Sequence, residues 1–202
     1  MGLINRYLLV VVTVIITMMA SVIAIGSPKS PMGLPWGKPI THPSGRLVLP
    51  DYQYSFGDPG WGQIRYSGKK DINGISSELI VYYASGRLSS ALLILGPEGL
   101  DENNCISKYK EMVEFLNKKY GNFKFQSHIV DPDIDDLIFS KRCHAVKVGM
   151  ESMSTRWENK RFRVESFLFG DEGMLFIEIE YVMLELERKE KEAEAKKVIR
   201  RL

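Results

Sequence analysis

Histidine and cysteine are scarce in this chain, with three and two among 202 residues. His42, His128 and His144 lie in three separate segments, and none stands at the i, i+4 spacing that puts two imidazoles of a helix on one metal. Cys105 and Cys143 are too few for a disulfide-built scaffold or a four-cysteine zinc site. They also lack the C-x-x-C spacing that lowers a thiol pKa, which disfavours a redox pair. No G-x-S-x-G elbow and no glycine-rich loop followed by lysine occurs. The sequence therefore assigns no catalytic residue, no cofactor site and no metal ligand. An excess of one charge is missing as well. With 27 basic against 25 acidic residues the net charge is +2, which excludes the basic footprint of an electrostatic nucleic-acid binder.

One acidic stretch needs weighing against these absences. Asp131, Asp133, Asp135 and Asp136 resemble an oxygen-rich cation loop only in composition. A calcium loop requires a glycine at its sixth position and a glutamate at its twelfth, and Asp136 and Arg142 stand there instead. A solvated acidic loop is the expectation.

What the chain does have is a long apolar run. Arg6 precedes an uncharged stretch over residues 7–27, rich in Leu, Val, Ile, Met and Ala. It is long enough to cross a bilayer as a helix and longer than the usual core of a cleavable signal. Residues 1–27 are read as an uncleaved signal anchor, with a cleaved signal peptide as the alternative and a buried helix of a soluble domain as the third possibility. Val22-Ile23-Ala24 and Ala24-Ile25-Gly26 are weak cleavage patterns. No cysteine directly follows the run to take a lipid. Either export reading places the remaining chain in the cell envelope: membrane-anchored with its domain in the periplasm or outside, or secreted if the segment is cleaved. Residues 28–50 carry Pro28, Pro31, Pro35, Pro39, Pro43 and Pro50, which deny regular hydrogen bonding and favour an extended linker. Trp36 is its one bulky residue expected to dock.

From residue 51 to 184 the pattern is that of one α+β domain: an antiparallel-rich sheet with one or two helices packed on one face. Tyr52, Tyr54 and Phe56 alternate with polar residues, as do Ile75, Leu79, Val81 and Tyr83 before a turn at Ser85-Gly86. Residues 88–95 are nearly all apolar, which suits a central strand. Residues 101–120 form the best-specified helix, with Ile106, Tyr109, Val113, Leu116 and Tyr120 as its apolar stripe and Lys118, Lys119 and Gly121 at its end. Phe123, Phe125, Ser127 and Ile129 then alternate as an amphipathic strand. Over residues 137–157, Cys143, Val146, Met150, Met153 and Trp157 step by three and four, which favours a second helix over a strand. Residues 161–169 and 174–184 form a hairpin. Residues 185–202 form a charged, protruding helix with favourable Glu-to-Lys pairs four apart and few apolar residues. Docking of that helix on a partner, which would make the chain an assembly element, ranks below a solvated tail.

Beyond an export signal, Cys105 and Cys143 are expected to form one disulfide that pins two helix starts together, rather than remain free thiols. Trp157, Phe162, Phe167 and Phe169 are assigned to core packing rather than to an aromatic binding surface. The function expected is that of an exported, membrane-tethered envelope domain, a non-enzymatic binding or structural module. Its expected partners are the membrane, through the N-terminal helix, and an envelope protein. The rival is an enzyme with an unrecognised site in the cleft between sheet and helices.

Overall fold

Alternation of apolar and polar residues is the strongest signal after residue 51, and it becomes an eight-stranded sheet with every pairing antiparallel. A computed structural model describes residues 31–39, 47, 49, 51–58, 62–68, 72, 74–131 and 141–199. The apolar run over 1–27, most of the acidic loop after Asp131, and His42 lie outside the described residues. Among the described residues no helix is long and apolar enough to cross a membrane. Residues 31–34, taken by themselves, hold a short 3-10 turn at Pro31–Gly33.

The strands are β1 (Tyr52–Asp58), β2 (Gln63–Gly68), β3 (Ser77–Ala84), β4 (Arg87–Leu95), β5 (Phe125–Val130), β6 (Glu151–Glu158), β7 (Phe162–Asp171) and β8 (Met174–Met183). The helices are α1 (Cys105–Tyr120), α2 (Arg142–Lys147) and α3 (Leu184–Ile199). The sheet order is β1-β2-β3-β4-β8-β7-β6-β5, so two runs of neighbouring strands meet at the β4–β8 pair. Two of the connections are two-residue turns. Ser85 and Gly86 (φ 51° and 71°) join β3 to β4, and Glu172 and Gly173 (φ 49° and 76°) join β7 to β8. Positive φ at both central residues gives a turn whose twist matches that of the strands it connects.

The passage from β4 to β5 needs a longer element. Four antiparallel steps separate them, which leaves them parallel and about 19 Å apart. Parallel strands cannot be joined by a tight turn, and a helix of 16 residues rises about 24 Å, enough to cross that half of the sheet. This is the work of α1. It packs on β7 and on α2, which in turn packs on β6, β7 and β8. Tyr109, Met112 and Leu116 of α1 and Ala145 and Val146 of α2 are buried with Leu168, Ile177 and Ile179 of the sheet. Each large aliphatic side chain buried this way contributes about 1.5–3 kcal/mol. One buried polar group in this layer is paired twice: the Tyr109 hydroxyl donates to the Ser166 carbonyl (3.2 Å) and lies 2.9 Å from Thr155 Oγ1. Trp36 is buried, its ring edge-on to Phe162 at 5.4 Å.

Three sequence expectations are altered. The first helix begins at Cys105 rather than 101, because Asp101 accepts from the N–H groups of Asn103 and Asn104 (2.7 and 3.1 Å) and closes a turn there. Its buried stripe is Cys105, Tyr109, Met112 and Leu116, rotated from the expected one, and Ile106 and Val113 are only half-buried. The helix expected over 137–157 is realised only as α2, and residues 151–158 form strand β6. Gly149 (φ 78°), its N–H bonded to the Val146 carbonyl, ends the helix. Met153 and Trp157, four apart, fit a strand face as well as a helix face, and their companions on that face are Glu151 and Thr155. Polar residues at inward positions concealed the alternation.

Close approach also matters where α2 meets the sheet. A Cβ at Gly170 would fall 2.5 Å from the Lys147 carbonyl oxygen and collide with that of Val146, so only glycine lets β7 pass beneath the helix end. Cys105 and Cys143 are joined as expected, with Cα atoms 5.9 Å apart across 38 residues of chain. Ile106 N–H points at Cys143 Sγ (3.3 Å). The chain-entropy account gives a loop of that size about 4 kcal/mol. In α3 the pairs Glu185–Lys189 (2.6 Å) and Glu187–Lys191 (2.9 Å) form, Arg188 reaches Glu192 (3.8 Å), and Leu186 is buried.

Cys143→Ala is expected to lower unfolding stability by about 2–5 kcal/mol, measured by denaturant titration of the oxidised protein. Protein unfolded without reductant should show no free thiol, and two titratable thiols would remove the bond.

Candidate functional site

Each strand offers one face to α1 and α2, and the opposite face carries a different population. Cross-strand register puts Phe125, Ser127 and Ile129 of β5 beside Ser154 and Arg156 of β6, then Glu165, Phe167 and Phe169 of β7, then Phe176, Glu178 and Glu180 of β8, and Leu92 and Ile94 of β4. Where α3 contacts β3 and β8, this face is closed, and Ile80 and Val182 are buried. Toward β5 it is open. Ile129 is 64% and Phe125 52% exposed, which is unusual for large apolar residues on a strand.

Between these ends lies a groove of about 360 Å³, open to solvent and crossing the strands from Ser127 and Ile129, past Ser152 and Ser154, to Phe167, Phe169 and Glu178. Its walls are mostly apolar, with the Ser127 and Ser154 hydroxyls bonded to each other (2.8 Å). Phe169 stacks on Phe176 with centroids 5.8 Å apart, which stiffens one wall.

Among the described residues several charges on this face are paired. Glu165 receives Arg156 (2.5 Å) and Arg163 (3.2 Å), and Glu187 of α3 receives Arg163 (3.0 Å) and Lys191. Glu78 receives Arg65 (3.2 Å). Glu178 and Glu180 are half-buried and have neither a salt bridge nor a hydrogen bond among the described residues. Burial raises the Glu178 carboxyl above the usual range, and the Glu180 charge adds to it. Burial also raises Glu180; Arg163 opposes that shift, and Glu165 and Glu187 reinforce it.

The helix-covered side holds a second polar cluster. The Glu151 carboxylate is fully buried, and its Oε1 accepts from His128 Nε2 (2.6 Å), Arg142 Nε (2.9 Å) and Arg142 Nη2 (2.5 Å). An ionised carboxylate only accepts, so Nε2 of His128 carries the proton, and its 3.2 Å approach to Arg142 Nη2 is donor facing donor. Glu151 Oε2 is buried without a partner. These residues tie the edge strand β5 to β6 and to the first turn of α2. Nearby on α2, His144 and Lys147 share Glu102 (3.2 and 2.9 Å), and the Lys147 hydrogen bond, then that of His144, holds the Glu102 carboxyl below its usual range.

The residues singled out in the sequence are thus dispersed. Cys105 and Cys143 lie in the helix layer, and His128 and His144 hydrogen-bond separate carboxylates, Glu151 and Glu102. Among the described residues no group of three His, Cys, Asp or Glu side chains is placed to hold a metal. Trp157 and Phe162 pack in the core as expected, with Trp157 Nε1 donating to Asn117 (2.9 Å). Phe167 and Phe169, assigned to the core with them, line the open groove instead. Their odd-numbered places beside Val164 and Leu168 identify the opposite face, and that parity was the available signal. Glu178 and Glu180 were missed, since alternating acidic residues read as a solvated strand face. Comparison with protein-family models, with curated proteins and with solved structures found no match.

The raised carboxyls fix a sign. A group whose folded pKa exceeds its unfolded value binds more protons when folded, so stability falls as pH rises from the ordinary carboxylate range through the folded pKa. Glu178→Gln is therefore expected to raise the melting temperature at pH 7, by about 2 °C once solvent screening of a half-exposed group is allowed for. The gain should shrink toward pH 4. A loss of stability at pH 7 would show that Glu178 has a cationic partner.

Proposed function

We propose that this chain is a non-enzymatic binding module of the cell envelope, exported and tethered by its N-terminal apolar run, which holds a protein partner against the open face of its sheet. The groove over β5–β8 carries the reading: it is apolar, open, and walled by side chains that the fold leaves half-buried or exposed at a cost in solvation. Compartment is supported by two independent features. A disulfide persists in oxidising environments and is rare in a reducing cytosol. The run over residues 7–27 has the length and composition of a membrane span, and the prolines after it suit a spacer that carries the domain clear of a surface.

The partner is taken to be a protein because the groove opens along its length and adjoins exposed Phe125 and Ile129. A small ligand would have most of its own surface left in water there, whereas good small-molecule sites bury most of it.

Two measurements, one on inside-out membrane vesicles and one in cells, test this. The full chain is expected in the membrane fraction, with its domain protected from protease added on the cytoplasmic side. A shortened soluble form would sink the anchor, and intact cytosolic protein would sink export. A photoreactive phenylalanine analogue in place of exposed Phe125 at the rim of the groove is expected to give a discrete adduct, and the same residue at exposed Lys110 of α1 to give none. Equal labelling from both positions, or none from position 125, would remove the open face as the binding surface.

A further inference from the structure

Glu178 and Glu180 pose a question that the fold does not answer internally. Every other acidic group on the open face that is drawn toward the sheet has an arginine: Glu165 has two, Glu187 and Glu78 one each. At Glu178 the chain places a carboxylate beside Phe167 and Phe169, where burial penalises its charge, and among the described residues no cation pairs with it. A glutamine would fit the same space without that penalty. Groups that oppose stability in this way are retained at sites where another molecule completes the pairing.

The occupant can be narrowed from the charges. A second copy of this chain, stacked face to face, would bring each Glu178 and Glu180 against a surface of the same acidic character, and like charges opposed in a dehydrated interface are costly. A compact ligand is disfavoured by the openness of the groove. The groove spans three strand steps from Ile129 on β5 to Glu178 on β8, about 14 Å. An apolar contact at the Ile129 end and a cation at the Glu178 end therefore belong to one extended segment.

Resting on the binding-module reading, we infer that the groove takes a polypeptide segment in which a lysine or arginine is flanked by apolar side chains, with the cation at Glu178 and the apolar neighbours over Phe167, Phe169 and Ile129. The long methylene stem of either basic residue lies along the phenylalanine walls while its head reaches the carboxylate. The aromatic faces add attraction for the cation, and Glu180 adds a second negative charge on the same strand. Ser152 and Ser154 offer hydroxyls to the backbone of the segment as it crosses β6.

The test uses the full-length chain in nanodiscs of neutral phosphatidylcholine, with empty nanodiscs as the blank. The probes are two fluorescent heptapeptides, one alternating leucine with lysine and one alternating leucine with glutamate. Anisotropy titration is expected to show binding of the lysine peptide and none of the glutamate peptide. Glu178→Gln is expected to weaken the lysine peptide about tenfold. Ser154→Trp, which fills the groove, is expected to abolish binding, and Ile129→Lys at an exposed position does the same service if the tryptophan variant fails to fold. Equal affinity for the two peptides, or no change with Glu178→Gln, overturns the basic segment while block by Ser154→Trp leaves the groove as the binding surface. Binding that survives both blocking variants, or absence of binding by either peptide, overturns the inference and the groove together.

Discussion

The bond between Cys105 and Cys143 holds the first turn of α1 against the first turn of α2, and both helices then lie on one face of the sheet. Much else follows from that placement. The inward positions of β6, β7 and β8 acquire a cover and must be apolar or internally bonded, as Tyr109, Thr155 and Ser166 are. Gly170 must lack a side chain where β7 runs under α2. Among the described residues the outward positions receive no helix except α3 at one end, and there the face closes over Ile80 and Val182. The groove lies on the part of that face which α3 does not reach.

The two faces treat buried carboxylates in opposite ways. Glu151 is wholly removed from water, and its cost is met by three donors on one oxygen, which fastens an edge strand and a short helix. Removing the Arg142 guanidinium would take away two of those donors from a fully buried carboxylate, so the cluster acts as a structural clamp. Glu178 is only half-buried, yet among the described residues it has no such compensation. One carboxylate is closed within the fold, and the other stands at the wall of the open groove.

Much of this architecture was legible from residue order. Ser85-Gly86 and the run Gly170-Asp171-Glu172-Gly173 announced turns because glycine accepts positive φ without steric cost, and the apolar stretch of β4 announced a central strand. The first helix and the cysteine pairing were legible for the same kind of reason: each rests on local spacing or on the lack of any other partner. Strand β6 was hidden because Glu151 and Thr155 occupy inward places through long-range bonds to His128, Arg142 and Tyr109, which no local pattern records. Strand β5 was legible as amphipathic, but its apolar side faces outward, since its inward side is given to Gln126, His128 and Val130 near the ionic clamp. The groove was half visible. Phe167 and Phe169 were named, but their face could be assigned only once β7 had neighbours on both sides.

The central seam of the sheet joins strands far apart in the chain, Leu93 of β4 lying opposite Ile179 of β8. A ribosome or an export channel delivers β4 long before β8, so the first four strands can assemble while their last edge has no neighbour. That edge carries Leu88, Ala91, Leu93 and Leu95, all buried in the finished sheet, and in the interval it is a template for any passing strand. The order of synthesis therefore sets a period of hazard that ends only when the final strand arrives. A holding chaperone that recognises extended apolar segments would be needed most in that interval, and least once residue 183 has emerged.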